Sequence, residues 1–105
     1  MVAAVITATS AQTYDLPSFI QAGYGTERRL KMLYLEGPKA LQSDWFLLTT
    51  YGLTAANIID MQAYTIGTGD EEWDLETITY TSTDAKMVLG HAEAGNTRAI
   101  VFYWE

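Results

Sequence analysis

The chain contains one histidine and no cysteine, which limits the chemistry that its side chains could perform. His91 lies in "LGHAEAGN", a stretch typical of a hairpin loop. Zinc normally collects several His or Cys ligands, and a catalytic histidine needs a nucleophile and an orienting carboxylate. Neither a nucleophile-elbow pattern nor a phosphate-binding glycine-rich motif occurs in the sequence. We therefore predict no catalytic residue, no bound cofactor and no enzymatic activity.

The segment "GDEEWDLE" is the most acidic part of the chain, with carboxylates at Asp70, Glu71, Glu72, Asp74 and Glu76 on a glycine-flanked turn. We expect no metal site, but Asp70, Glu72 and Asp74 are the candidates if the loop binds calcium, which takes about six to eight oxygen ligands. The EF-hand spacing is absent. A solvated loop and a contact for a basic partner are the alternatives. Glycosidase chemistry needs two carboxyl groups across a cleft, and five on one exposed turn are the opposite arrangement.

Aromatic and basic residues are the candidates for an interface. Trp73 stands inside the acidic run, and we expect it to fold back onto a sheet because its indole is largely apolar. Tyr and Trp bring large rigid surfaces with a polar tip, which suits protein interfaces. Arg28 and Arg29 belong to "ERRLKM", which either faces solvent or contacts an acidic partner. The predicted interface residues are Arg28, Arg29, Trp73, Phe102, Tyr103 and Trp104.

Composition defines the kind of molecule that must position these residues. The chain has 105 residues, 49% of them hydrophobic, which predicts a single globular domain over residues 1–105. Its net charge of −7 repels phosphate backbones, so we expect no direct nucleic-acid binding. "MVAAVITATSAQ" lacks a positive flank and is too short to span a membrane, so we expect no signal peptide, transmembrane segment or membrane partner. We interpret this stretch as the first strand.

Alternation of apolar and polar residues predicts an all-β fold. In "TITYTS", Ile78 and Tyr80 face one way and the threonines face the other. The other β-rich runs are "RLKMLYLE", "SDWFLLTTY", "IIDMQAYTI", "KMVLGHA" and "RAIVFYWE", separated by turn-forming residues. About seven short strands indicate a compact antiparallel β-sandwich, jelly-roll or immunoglobulin-like, or a small barrel. We expect at most one or two short helical turns, over Thr54 to Asn57 and in "PKALQS", where Pro38 suits a first helical position.

The run "TRAIVFYWE" allows two interpretations. Period two places Ile100, Phe102 and Trp104 on one face and Ala99, Val101 and Tyr103 on the other, so both faces are apolar. The run is either an interior strand buried on both faces or a strand that a partner covers, because exposed apolar edges invite aggregation.

The stretch "TITYTSTDAKMVLG", leading into "TRAIVFYWE", resembles the small β-rich virion proteins of tailed phages, such as capsid decoration or tail-associated subunits. The likeness lies in composition and strand pattern. The resemblance implies a non-enzymatic structural subunit, found in the virion or the cytoplasm. Its partners would be proteins, either copies of itself in a homo-oligomer or a larger particle. The alternative is a carbohydrate-binding β-sandwich module that uses exposed aromatic rings, with or without calcium.

Overall fold

The computed structural model describes residues 2–16, 29–69 and 71–105, and these form two antiparallel sheets with almost no helix. The strands are β1 (Ser10–Asp15), β2 (Leu30–Lys39), β3 (Trp45–Leu47), β4 (Ile58–Gly67), β5 (Asp74–Leu75), β6 (Ile78–Thr81), β7 (Lys86–Leu89) and β8 (Gly95–Trp104). Five strands form one sheet in the order β1-β2-β8-β4-β5, and three form the other in the order β3-β7-β6. The sheets are not closed into a barrel, and the prediction of a compact all-β, sandwich-like fold is confirmed.

The core lies between the two sheets. Successive side chains of a strand point to opposite faces, so each long strand contributes alternate residues to it. The buried apolar residues of the strands are Leu33, Leu35, Ala63, Ala99, Val101 and Tyr103 in the large sheet and Phe46, Met87 and Leu89 in the small one. In β6, Ile78 and Tyr80 pack on this core while Thr79 and Thr81 are exposed, as the sequence predicts.

The strand β8 occupies the centre of the five-stranded sheet. It pairs along its whole length with β2 on one side and from Gly95 to Tyr103 with β4 on the other, with a register shift in β4 between Ile58 and Asp60. Of the two interpretations of "TRAIVFYWE", the structure therefore supports the strand inside the sheet. Its second face is only half-buried, however, because Ile100, Phe102 and Trp104 point away from the core.

The first strand begins later than the sequence indicates. Within residues 2–9, Val5 makes only an isolated parallel bridge with Trp45, and regular pairing with β2 starts at Ser10. Ile6 is buried in the core, and its N–H donates to the Trp45 carbonyl at 2.7 Å. The segment exchanges two backbone hydrogen bonds with Trp45 of β3, but this pairing is too short to form a strand.

The run "SDWFLLTTY" is not a single strand. β3 ends at Leu47, and residues Leu48–Tyr51 form a 3-10 turn. Gly52 closes this turn in the left-handed region (φ 79°), where glycine is favoured. Before β4, where we expected a short helical turn, the chain forms a hydrogen-bonded turn that is not helical. The Asn57 N–H donates to the Thr54 carbonyl at 3.1 Å, and the strand begins at Ile58. No helix of the described residues is long and apolar enough to cross a membrane.

The turn expected in "PKALQS" begins later than predicted, since the Asp44 N–H donates to the Leu41 carbonyl at 3.2 Å, and the helical position expected for Pro38 is wrong. Pro38 lies in β2, opposite Asn96 of β8. Pairing of β2 with β1 reaches only as far as Ser10 opposite Glu36, so no described strand lies on the β1 side of Pro38. The missing proline N–H therefore removes no ladder hydrogen bond, which is the condition under which a sheet tolerates proline.

Asp44 joins the turn after β2 to the first residues of the described chain. Its carboxylate accepts backbone N–H groups from Ala4, Ala40 and Leu41, each at 2.9 Å. Burial by itself would raise the pKa of Asp44, but the three hydrogen bonds and the charge of Lys39 hold that pKa below its ordinary value. The carboxylate therefore stabilises the fold in its charged form.

We predict that Asp44→Asn lowers the free energy of unfolding by about 2 kcal/mol near pH 7, because hydrogen bonds to a charged acceptor are lost. The folded pKa lies below the unfolded value of about 3.9, so this stabilisation is complete above about pH 4 and declines as the pH falls through the folded pKa. Urea unfolding of both chains should show the difference shrinking in acid. Asp84→Asn, at an exposed turn, is the control. A difference that does not change with pH would contradict the prediction.

Candidate functional site

The candidate site is the face of the five-stranded sheet that points away from the core, which we call the outer face. Its central side chains alternate with core residues along β2, β4 and β8 and are half-buried. They are Met32, Tyr34, Tyr64, Ile66, Ile100, Phe102 and Trp104. Tyr14 and Leu75, at 44% and 64% exposure, extend the same face across β1 and β5. Large exposed apolar patches are typical of interaction surfaces, which makes the outer face the candidate site.

A shallow cleft of about 350 Å³ lies on the outer face, lined by Tyr34, Tyr64, Trp73, Arg98 and Ile100. Trp73 folds back onto the sheet, as the sequence predicts. The Arg98 guanidinium carbon lies 4.5 Å from the centre of the Trp73 ring, which is a cation–π arrangement. The cleft therefore presents aromatic walls and one fixed positive charge.

Glu36 forms the polar border of this cleft. Its carboxylate accepts hydrogen bonds from Asn96 Nδ2 at 2.8 Å and from the Tyr34 hydroxyl at 2.7 Å, and Arg98 Nε lies 3.8 Å away. These two hydrogen bonds lower the pKa of Glu36. Burial, and then the bond to Glu36, raise the pKa of Tyr34. At neutral pH the carboxylate is charged and the phenol protonated, so the pair can recognise a ligand but is a poor base.

The structure brings together three of the residues predicted to form an interface. Trp73, Phe102 and Trp104 share the outer face. Tyr103 points the opposite way, is 9% exposed and belongs to the core. Arg29 is exposed just before β2, where its carbonyl accepts the Glu105 N–H, while Arg28 lies outside the described residues.

The acidic run "GDEEWDLE" is divided by the fold. Glu71 and Glu72 are exposed, whereas Asp74 is half-buried in β5. Asp70, one of the calcium candidates, lies outside the described residues. Within residues 2–16, 29–69 and 71–105, no three His, Asp or Glu side chains lie close enough to hold a metal ion.

The sequence led us to expect Glu76 on an exposed acidic turn, and this prediction is wrong. Its side chain is fully buried, and its Oε2 lies 2.5 Å from Nζ of the equally buried Lys39. The Thr65 hydroxyl donates to the same oxygen and pairs with the Thr97 hydroxyl. The backbone of His91 completes the group, since its N–H donates to Glu76 Oε1 and its carbonyl accepts from Lys39. We call this group the buried polar network.

The buried polar network lies on the core side of the sheet, directly behind the cleft. Thr65 directly follows Tyr64 in β4, and Thr97 directly precedes Arg98 in β8. Because successive side chains alternate, the two threonines face the core, and Tyr64 and Arg98 face out. Glu76 comes three residues after Trp73 and holds that segment against the sheet. The network thus positions both sides of the Arg98–Trp73 contact.

The sequence did not indicate this network, because Lys39 lies in "PKALQS", where we expected a helical turn. Alternation offered a signal, since Lys39 continues the odd-numbered series of Leu33 and Leu35 that faces the core.

We predict that Glu76→Gln lowers the free energy of unfolding by about 3 to 5 kcal/mol, because it leaves the Lys39 ammonium buried without a counter-charge. The double variant Lys39→Met, Glu76→Leu should recover most of this loss, since an apolar pair of similar size removes both buried charges. Urea unfolding, followed by tryptophan fluorescence, measures both effects. Glu71→Gln, on the exposed part of the loop, is the matched control. Equal destabilisation by the single and double changes would contradict the prediction.

Comparisons of the chain with protein-family models, with curated proteins and with solved structures find no match. The function is therefore inferred from the outer face, the cleft and their chemistry.

Proposed function

We propose that the chain is a non-enzymatic structural subunit that assembles with copies of itself through the outer face, in a virion-type particle such as the resemblance implies. The observation that carries the proposal is the half-buried apolar series on β2, β4 and β8, centred on Ile100. These side chains face outward from a sheet whose other face already fills the core. A partner subunit is the surface that would remove them from water.

The composition of the outer face supports a protein partner. Aromatic residues, Met and Arg are enriched at the centres of interfaces, while Lys and Glu are depleted. Phe102, Trp104 and Met32 lie together across β8 and β2, and the ion pair of Arg98 with Glu36 lies beside the cleft. Removing apolar surface from water contributes about 25 cal/mol per Å². The net charge of −7 keeps free subunits soluble before they assemble.

The polar groups near this face suit recognition better than acid–base chemistry. The Glu36 carboxylate is held by two hydrogen bonds and its pKa is lowered, so it has little tendency to accept a proton. This arrangement favours a binding role.

We predict that the wild-type chain forms a discrete oligomer and that Ile100→Lys lowers its mass. Ile100 lies between Tyr34 and Gln62 at the centre of the outer face. A lysine there can cover its neighbours with its aliphatic stem, but it would place a charge in the interface. Static light scattering at about 1 to 100 µM protein measures the mass, and circular dichroism with melting checks the fold.

Thr79→Lys, on the exposed face of β6, adds the same charge far from the outer face and should keep the wild-type mass. A folded Ile100→Lys variant with unchanged mass would exclude the outer face as the assembly surface. A wild-type chain that stays monomeric over the whole range would refute self-association.

A carbohydrate-binding module is the second candidate, and the cleft favours it. The rings of Tyr34, Tyr64 and Trp73 offer flat apolar surfaces beside the polar groups of Asn96 and Arg98. Concave sites with aromatic walls and a few fixed polar groups are typical of small-ligand sites.

Under this second candidate, a glycan array should show at least one ligand for the wild-type chain and none for Trp73→Ala. Loss of the Trp73 ring removes one wall of the cleft and the contact with Arg98. Tyr14→Ala, an exposed aromatic outside the cleft, is the control and should bind like wild type. A wild-type chain that binds no glycan would exclude the carbohydrate function.

A further inference from the structure

We infer that two copies of this chain also join edge to edge, through antiparallel pairing of β1 with β1 of a second copy. The two five-stranded sheets would then form one continuous sheet. The inference rests on the proposed self-assembly and adds a second contact that uses backbone hydrogen bonds instead of the outer face.

The strand β1 is the longest free edge among the described strands. It is the outermost strand of the five-stranded sheet and pairs with β2 from Ser10 to Asp15. No other described strand lies on its far side. The remaining edge strands are shorter, with two residues in β5, three in β3 and four in β6. A free edge of this length is a template for pairing with another chain.

Among the described residues, the edge also lacks several of the devices that normally prevent such pairing. Native proteins protect edges with proline, lysine, bulges or very short strands. The sequence of β1, "SAQTYD", has no proline and no lysine, and its pairing with β2 shows no register shift. Five of its six residues are exposed, so both faces of the strand are open as well.

The ladder determines which backbone groups of β1 are free. The Leu16 N–H donates to the Leu30 carbonyl at 3.0 Å, so the backbone of Leu16 points toward β2. In an antiparallel pair, alternate residues point to the same neighbour. The residues of β1 that direct their N–H and C=O groups away from β2 are therefore Ala11, Thr13 and Asp15.

These groups fit a second copy of the same strand. A symmetric register centred on Thr13 places Thr13 opposite its own counterpart and Ala11 opposite Asp15. Every outward-pointing residue then meets another one, and each can donate and accept a hydrogen bond. The central pair is two threonines, a favourable cross-strand combination.

The charges of the edge are compatible with this register. Asp15 is the only charged residue of β1, and it forms an ion pair with Lys31 at 3.4 Å. In the register centred on Thr13, the two Asp15 carboxylates are four residues apart along the strands, roughly 14 Å. A two-fold pairing therefore brings no like charges opposite each other. The matched hydrogen-bonding groups and the absence of charge repulsion together favour a second copy of this chain as the partner.

The test compares the masses of four chains by light scattering: wild type, Ile100→Lys, Thr13→Pro and the double variant. Proline at position 13 removes an outward N–H and obstructs a partner strand, but it leaves the ladder between β1 and β2, which that N–H does not serve. We expect Ile100→Lys to be a dimer and the double variant to be a monomer. Thr13→Val, which keeps the N–H, is the matched control and should leave the dimer intact.

The outcomes separate the two contacts. If folded Ile100→Lys is already a monomer, or if the double variant stays a dimer, edge pairing is overturned. Assembly through the outer face is then decided separately, by whether Ile100→Lys has a lower mass than wild type. If Thr13→Pro alone lowers the mass and Ile100→Lys does not, edge pairing is supported and the outer-face assembly fails. A monomeric wild-type chain overturns both.

Cross-linking tests the register without a proline. The chain has no cysteine, so Thr13→Cys introduces a unique thiol. Residues directly opposite in a hydrogen-bonded antiparallel pair have Cα atoms about 5.5 Å apart, within the range of a disulfide. We expect mild oxidation to give a covalent dimer of Thr13→Cys and to leave Ser82→Cys, on an exposed turn, mainly monomeric. Equal cross-linking of the two variants, or none of Thr13→Cys, would overturn the inference.

Discussion

The ion pair between Lys39 and Glu76 is the constraint on which the arrangement of the outer face depends. Two buried charges are tolerated only when they form an ion pair and their remaining donors and acceptors are hydrogen-bonded. The hydroxyl of Thr65 and the backbone of His91 meet that requirement. These four residues come from separate parts of the fold: β2, β4, the segment after β5 and the loop before β8. Their directional bonds define one alignment of strands that are far apart in sequence.

Because successive side chains of a strand point to opposite faces, each long strand contributes both to the core and to the outer face. In β8, Thr97 faces the buried polar network while Arg98 faces the cleft, and Tyr103 fills the core while Trp104 lies on the outer face. The sequence did not indicate which face of β8 fills the core, since Tyr103 was expected at the interface. It was sufficient to predict which residues of β8 share a face and the return of Trp73 to the sheet, with the interior position of β8 as one of two interpretations. These features depend on period two and on the apolar character of single side chains, which are local properties of the chain.

The sequence was insufficient where long-range pairing determines the environment of a residue. Glu76 has acidic neighbours in the chain, which indicates exposure, but its partner Lys39 is 37 residues away. Pro38 has the local character of a turn, yet the limited reach of β1 leaves room for it in β2. The strand predicted at the start of the chain requires a neighbour, and β3 pairs with it at a single bridge. The cleft itself depends on β5 returning beside β4, which no local pattern encodes.

The central place of β8 has a consequence for the order of folding. β8 follows both β2 and β4 along the sequence, yet it separates them in the sheet, so neither can complete its hydrogen bonding until β8 is inserted between them. Closing such long loops costs entropy before the new contacts compensate for it, which makes sheets of this topology slow to form. During this interval β2 and β4, which are ten residues long, each have an unpaired edge on the side that β8 will occupy. The rate at which β8 is inserted, compared with the rate at which chains meet, therefore determines how much of the protein reaches the native sheet before strands pair between molecules.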